Sequence, residues 1–94
     1  MVAMDLGPKF PLGKVVITAT ASRTLAQEDV LIAIRRHARG DWGELDEQDR
    51  QQNQAALKEG TRLLSAYHDR NGVKFWIITE WNREVTTVLL PEDY

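Results

Sequence analysis

Asn71-Gly72 is the feature that most restricts the fold. It sits between two β-prone runs, Thr61 to His68 and Val73 to Glu80. Asn-Gly readily takes the two positive φ angles of a two-residue hairpin loop. A loop of that length fixes the register of the strands it joins. Arg70 then pairs with Val73, Asp69 with Lys74, His68 with Phe75, Tyr67 with Trp76 and Ala66 with Ile77. Asp69 opposite Lys74 is a favourable pair of opposite charges. A third run, Val85 to Leu90, follows a turn at Trp81 to Glu84 and stops at Pro91. A four-residue turn there sets Ile77 opposite Val88 and Phe75 opposite Leu90.

That register sorts the side chains of the meander. One face carries Leu64, Ala66, Phe75, Ile77, Val88 and Leu90. The other carries Ser65, Tyr67, Lys74, Trp76, Ile78, Thr87 and Leu89. The first face is the more uniformly apolar.

The N-terminal half supplies what covers it. Residues 1–12 read as an arm, punctuated by Gly7-Pro8 and Pro11, with Phe10 and Leu12 able to tuck onto a domain at 13–94. Lys14 to Thr20 is short and β-branched, and reads as a strand. Thr24 and Gln27 have capping-box spacing, and a helix is expected over residues 25–39, closed by Gly40. A second helix starts at Asp46 and ends at Gly60; its first half is wholly polar and belongs in water. The expected fold is α+β in the order β-α-α-β-β-β, an antiparallel sheet of three to four strands with two helices on one face. Two helices cannot cover both faces, so the face with Tyr67 and Trp76 is expected to stay partly exposed.

Composition narrows the chemistry. The 94 residues allow one core. With no cysteine there is no disulfide, thiolate or cysteine metal site, which favours the cytoplasm. Met1 to Met4 is too short an apolar run for a signal peptide, and no run nears the ~20 residues that span a bilayer. A formal charge of −2 suits phosphate binding poorly. His37 and His68 have no ligand-spaced neighbours, and Glu44, Asp46, Glu47 and Asp49 read as a solvated helix start, so no metal is expected. Gly40 and Gly43 lack the Lys-Ser/Thr of a phosphate loop, no Gly-x-Ser-x-Gly occurs, and no cofactor is expected.

Four groups of residues compete as a site. Tyr67 and Trp76, side by side on the open face with Lys74 at the rim and Thr87 nearby, form an aromatic surface for a partner or a second copy. Trp42, between two glycines, is either a partner anchor or a plug for the core. Arg35, Arg36 and Arg39 form an anion patch, or merely complement a helix C-terminus. His68, Tyr67, Arg62, Arg83, Thr86 and Thr87 include the residue types of a metal-independent RNase. His68 is expected on the helix-covered face, away from Tyr67, which weakens that set.

The C-terminal part resembles a family of small proteins from bacterial plasmids and other mobile elements. The likeness rests on Gly40-Asp41-Trp42-Gly43, Leu63-Leu64-Ser65-Ala66-Tyr67 and Trp76-Ile77-Ile78-Thr79-Glu80, with Arg83, Thr86-Thr87 and Leu89-Leu90-Pro91-Glu92-Asp93-Tyr94. It covers roughly residues 36–94, implies a bacterial origin and a cytoplasmic accessory role, and transfers no catalytic residue. The element order also resembles the RelE/ParE toxin fold, although those toxins are usually strongly basic. The reading is a non-enzymatic module that binds a protein partner or its own copy. The alternatives are an RNase of the toxin type and a nucleic-acid-binding regulator using the arginine patch.

Overall fold

A computed structural model describes residues 7–94; residues 1–6, half of the expected arm, lie outside them. The elements are β1 (Lys14–Ile17), α1 (Ala19–Thr24), α2 (Gln27–Ala38), α3 (Glu47–Glu59), β2 (Leu63–His68), β3 (Lys74–Thr79) and β4 (Val85–Leu89), and a 3-10 turn covers Pro91–Asp93. The fold is α+β in the expected order, with one helix more than the sequence suggested.

The extra helix, α1, takes residues assigned above to the first strand. Thr18 accepts the Ala21 amide at 3.2 Å and so acts as its N-cap. The Thr24–Gln27 capping box does not form. The N-cap of α2 is Ala26, whose own side chain bonds nothing, and Asp69 accepts its amide at 3.0 Å from 43 residues away. A tertiary carboxylate replaces the local one. In α3 the local signals hold: Asp46 accepts the Asp49 amide at 2.8 Å, and Gly60 takes the left-handed conformation at φ 72.

The sheet order is β1-β4-β3-β2. The two pairs of the meander are antiparallel, but β1 runs parallel to β4, so the sheet is mixed rather than antiparallel. The helices return the chain to the end where β1 began, so β2 runs as β1 does. Two reversals later β4 has that direction again.

The β2–β3 register differs by one residue from the expected one. His68 faces Lys74, Tyr67 faces Phe75, Ala66 faces Trp76 and Ser65 faces Ile77. Asp69 is the cause. Its carboxylate accepts Asn71 N at 2.9 Å and Val73 N at 3.0 Å besides the α2 amide. Gly72 N donates to Asp69 O at 2.9 Å, and Gly72, not Asn71, has a positive φ. This is a turn with Asp at its first position and a left-handed glycine at its last, giving a longer loop than Asn-Gly alone predicts. The Asp69–Lys74 pair does not exist. A one-residue slip turns every β2 side chain over. Between β3 and β4 the expected Ile77–Val88 pair is present.

The helix-covered face therefore holds Leu63, Ser65, Tyr67, Phe75, Ile77, Thr79, Thr86 and Val88. The open face holds Leu64, Ala66, His68, Lys74, Trp76, Ile78, Thr87 and Leu89. One buried cluster joins Ala21, Leu25, Val30 and Ala33 to Tyr67, Phe75, Ile77, Val88 and Leu90. A second contains Phe10, Trp42, Ala56 and Leu63. Burying each large side chain stabilises the fold by roughly 1.5–3 kcal/mol.

The outer edge of β2 is closed. Asn53 of α3 donates to Leu64 O at 2.6 Å and accepts Leu64 N at 3.1 Å. Two residues on, Ala66 N donates to Trp42 O at 3.2 Å, and Glu44 N donates to Ala66 O at 2.8 Å. Gly43 lies so close that a Cβ there would meet Ala66 O at 2.0 Å.

Candidate functional site

The pleat of β3 turns Trp76 away from the helices and onto the open face, where it is half-buried. Its neighbour is a residue that sequence reasoning left unassigned. The 3-10 turn folds the C-terminus back, and Asp93 fixes it by accepting hydrogen bonds from Thr20 Oγ1, from Thr18 Oγ1 at 2.7 Å and from Leu90 N at 3.0 Å. Those bonds, Thr20's first, hold the Asp93 carboxyl below its ordinary range. Tyr94 then meets Trp76 edge to face at 5.9 Å, and the Arg62 guanidinium lies 5.5 Å above the Tyr94 ring. Arg62, Leu64, Trp76, Ile78 and Tyr94 line a depression of about 200 Å³. Lys74 is exposed two residues before Trp76, and Thr87, opposite Ile78, is partly exposed.

Tyr67 is not on this face. With β2 turned over it lies under the helices, 2% exposed, and its hydroxyl donates to Asp41 O at 2.6 Å. Burial pushes its pKa up to about 12. Trp42 is also in the core, 4% exposed, stacked on Phe10 at 6.2 Å and edge-on to His37 at 5.7 Å. It plugs the core rather than presenting an anchor. The arginine patch divides. Arg36 donates to both oxygens of Asp41, at 2.7 and 3.1 Å, and lies 4.8 Å over the Tyr67 ring. That pair raises the Arg36 pKa and holds the Asp41 carboxyl down. Arg35 and Arg39 remain exposed.

The residues offered for acid–base chemistry are scattered. His68 is on the open face, not the covered one, with Nδ1 2.6 Å from Glu44. Thr86 is buried, and Arg83 is taken up by carbonyls: it donates to Thr61 O at 2.6 Å, Ala56 O at 3.0 Å and Glu80 O at 3.1 Å. This one side chain ties the end of α3 to the β3–β4 turn.

The buried histidine forms a network that the sequence did not announce. His37 is 0% exposed, with Nδ1 against Ser65 Oγ and Nε2 2.8 Å from Thr79 Oγ1. Thr79 Oγ1 lies 2.7 Å from Thr86 Oγ1, which donates to Leu12 O at 2.7 Å. A carbonyl only accepts, so it orients the chain of donors. Thr86 spends its proton on Leu12, Thr79 donates to Thr86, and His37 Nε2–H donates to Thr79. Nδ1 therefore accepts from Ser65. Burial, and secondarily the Arg83 charge, pushes the His37 pKa down to about 4. Phe10 covers the ring edge-on at 5.3 Å. A serine beside a neutral histidine base is a nucleophile arrangement in an exposed site, but substrate cannot reach it here.

Fold and site together define a small mixed-sheet α+β domain with one sheet face bare of helices and an aromatic cleft on that face. No protein-family model, curated protein or solved structure matches the chain. Among the described residues no group of three or more His, Asp or Glu side chains is arranged to hold a metal ion, and no helix is long and apolar enough to cross a membrane.

Proposed function

We propose that this chain is a non-enzymatic protein-binding module whose contact point is the Trp76 cleft. The observation that carries this reading is the geometry of the aromatic pair. Trp76 and Tyr94 meet at 74°, and one face of Tyr94 is already covered by Arg62. Two crossed rings form a pocket for one side chain, whereas successive stacked bases need free ring faces. Lys74 and Arg62 flank the cleft, and the register puts Lys14 on the same face. A segment with an apolar side chain between carboxylates complements it. On the resemblance to plasmid and mobile-element proteins, the setting is the cytoplasm of a bacterium and the role is accessory.

Selection from a random peptide library tests this. Wild-type protein should enrich peptides with an aromatic or large aliphatic residue flanked by Asp or Glu. Trp76→Ala, folded by circular dichroism, should enrich none of them. Steeply salt-dependent binding of single-stranded RNA, lost in Trp76→Ala, would instead establish the nucleic-acid reading. Growth arrest with mRNA cleavage on expression in bacteria would establish the RNase reading.

A further inference from the structure

The sheet has two edges, and they differ. That of β2 is closed by Asn53 and by the segment around Gly43. At β1, Lys14 N donates to Glu84 O at 2.9 Å and Thr18 N to Val88 O at 3.0 Å. The alternation of a strand then turns the backbone N–H and C=O groups of Val15 and Ile17 outward, and no described residue bonds them. The side chains of Val15 and Ile17, 42% and 41% exposed, border a groove of about 300 Å³ walled on the far side by Leu31 and Ile34 of α2. An apolar strand with free ladder groups is a template for pairing, and sheet proteins usually blunt such an edge.

We infer that β1 pairs antiparallel with β1 of a second copy of this chain, about a two-fold axis at Val16. Val15 then faces Ile17 of the second copy and Ile17 faces its Val15. These are the residues whose N–H and C=O point outward, so each pair exchanges two hydrogen bonds. The same register sets Lys14 opposite Thr18 of the second copy. That threonine carries the Asp93 carboxylate, 2.7 Å from its hydroxyl. Lys14 has no carboxylate partner among the described residues, and Lys14, Val16 and Thr87 share one face of the sheet. The edge is thus complementary to itself in backbone, apolar side chains and charge, as an isologous contact requires. β1 cannot add instead to β2 of another copy, because that edge is occupied.

Sedimentation equilibrium of the whole chain tests this without reference to the Trp76 cleft. Wild type should form a dimer that disperses on dilution and weakens with salt. Lys14→Glu should weaken it about tenfold, two like-charge contacts replacing two attractions. Val15→Lys with Ile17→Lys should be monomeric at every concentration, with its fold confirmed by circular dichroism. Trp76→Ala should dimerise as wild type does. A wild type that stays monomeric at millimolar concentration overturns the inference. So does a dimer that both β1 variants leave unchanged, or one that Trp76→Ala abolishes. Lys14 is exposed, so Lys14→Glu still decides the matter if the double lysine variant fails to fold.

Discussion

At one end of the sheet the two faces reverse the usual distribution of polarity. At the end where β2 begins and β3 finishes, the helix-covered face holds Ser65, His37, Thr79 and Thr86, each fully buried. The uncovered face at the same level holds Leu64 and Trp76, both half-buried, together with Ile78, which is buried. Polar groups tolerate burial when each hydrogen bond has a partner, and here a chain of donors ends on a backbone carbonyl. Apolar groups tolerate exposure when something is to be bound. Polarity of a strand face is thus a poor guide to which side the helices take. The fate of the hydrogen bonds is a better one.

Substitutions can break the comparison from either side. The largest effect is expected at His37. His37→Ala opens a cavity and strips Ser65 and Thr79 of their partner, and urea unfolding should show a loss of about 3–5 kcal/mol. Acid attacks the same network nearly as hard. His37 titrates at about 4 in the fold and near its ordinary 6.5 unfolded, so the unfolded chain takes up the proton first as pH falls. The stabilisation is complete above 6.5 and is lost between 6.5 and 4, on the order of 3 kcal/mol. Denaturation followed across that window should give a slope that His37→Ala flattens; an equal slope in both proteins would refute the assignment.

Asp69→Ala comes third. It removes the acceptor of three backbone amides, two in the hairpin loop and one at the start of α2, and should lower Tm by about 5 °C or more. Because Asp69 decides which face each β2 side chain takes, Tyr67 fluorescence should report a more solvated ring. The smallest effect is expected on the open face. Trp76→Ala should cost about 1 kcal/mol in the same urea titration. A loss as large as that of His37→Ala would mean that Trp76 is core rather than contact surface.

Contacts within one turn of chain are legible in a sequence, and contacts that bridge distant segments are not. Asp46 and Gly60 bound α3 as read, because a capping carboxylate and a left-handed glycine act within one turn of helix. The Ile77–Val88 pairing is legible for a similar reason, since the four-residue turn at Trp81 to Glu84 forms and Glu80 N donates to Val85 O at 3.0 Å. Asp69 departs from its expected role because Oδ1 accepts Asn71 N and Val73 N within the loop while Oδ2 reaches a helix 43 residues earlier in the chain. A cross-strand partner in Lys74 looked sufficient. Tyr94 escaped notice because its place depends on Asp93 gripping Thr18 and Thr20, a contact over more than 70 residues. Of the two readings of Trp42 the plug is the one the fold uses, and only the fold sets Phe10 against both its ring and that of His37. The bare face was foreseen from a count of helices. Its β3 and β4 occupants, Lys74, Trp76, Ile78, Thr87 and Leu89, are those expected, whereas one residue of register on β2 exchanges Ser65 and Tyr67 for Leu64, Ala66 and His68.

The plugging of β2's outer side by Asn53 limits growth. A sheet with two open margins can add neighbour after neighbour and lengthen into a filament, whereas this one has a terminus that refuses addition. Whatever docks along β1, accretion halts after a single step. A side-chain amide that copies the peptide group of a missing strand thereby helps keep a chain with one bare strand edge from polymerising.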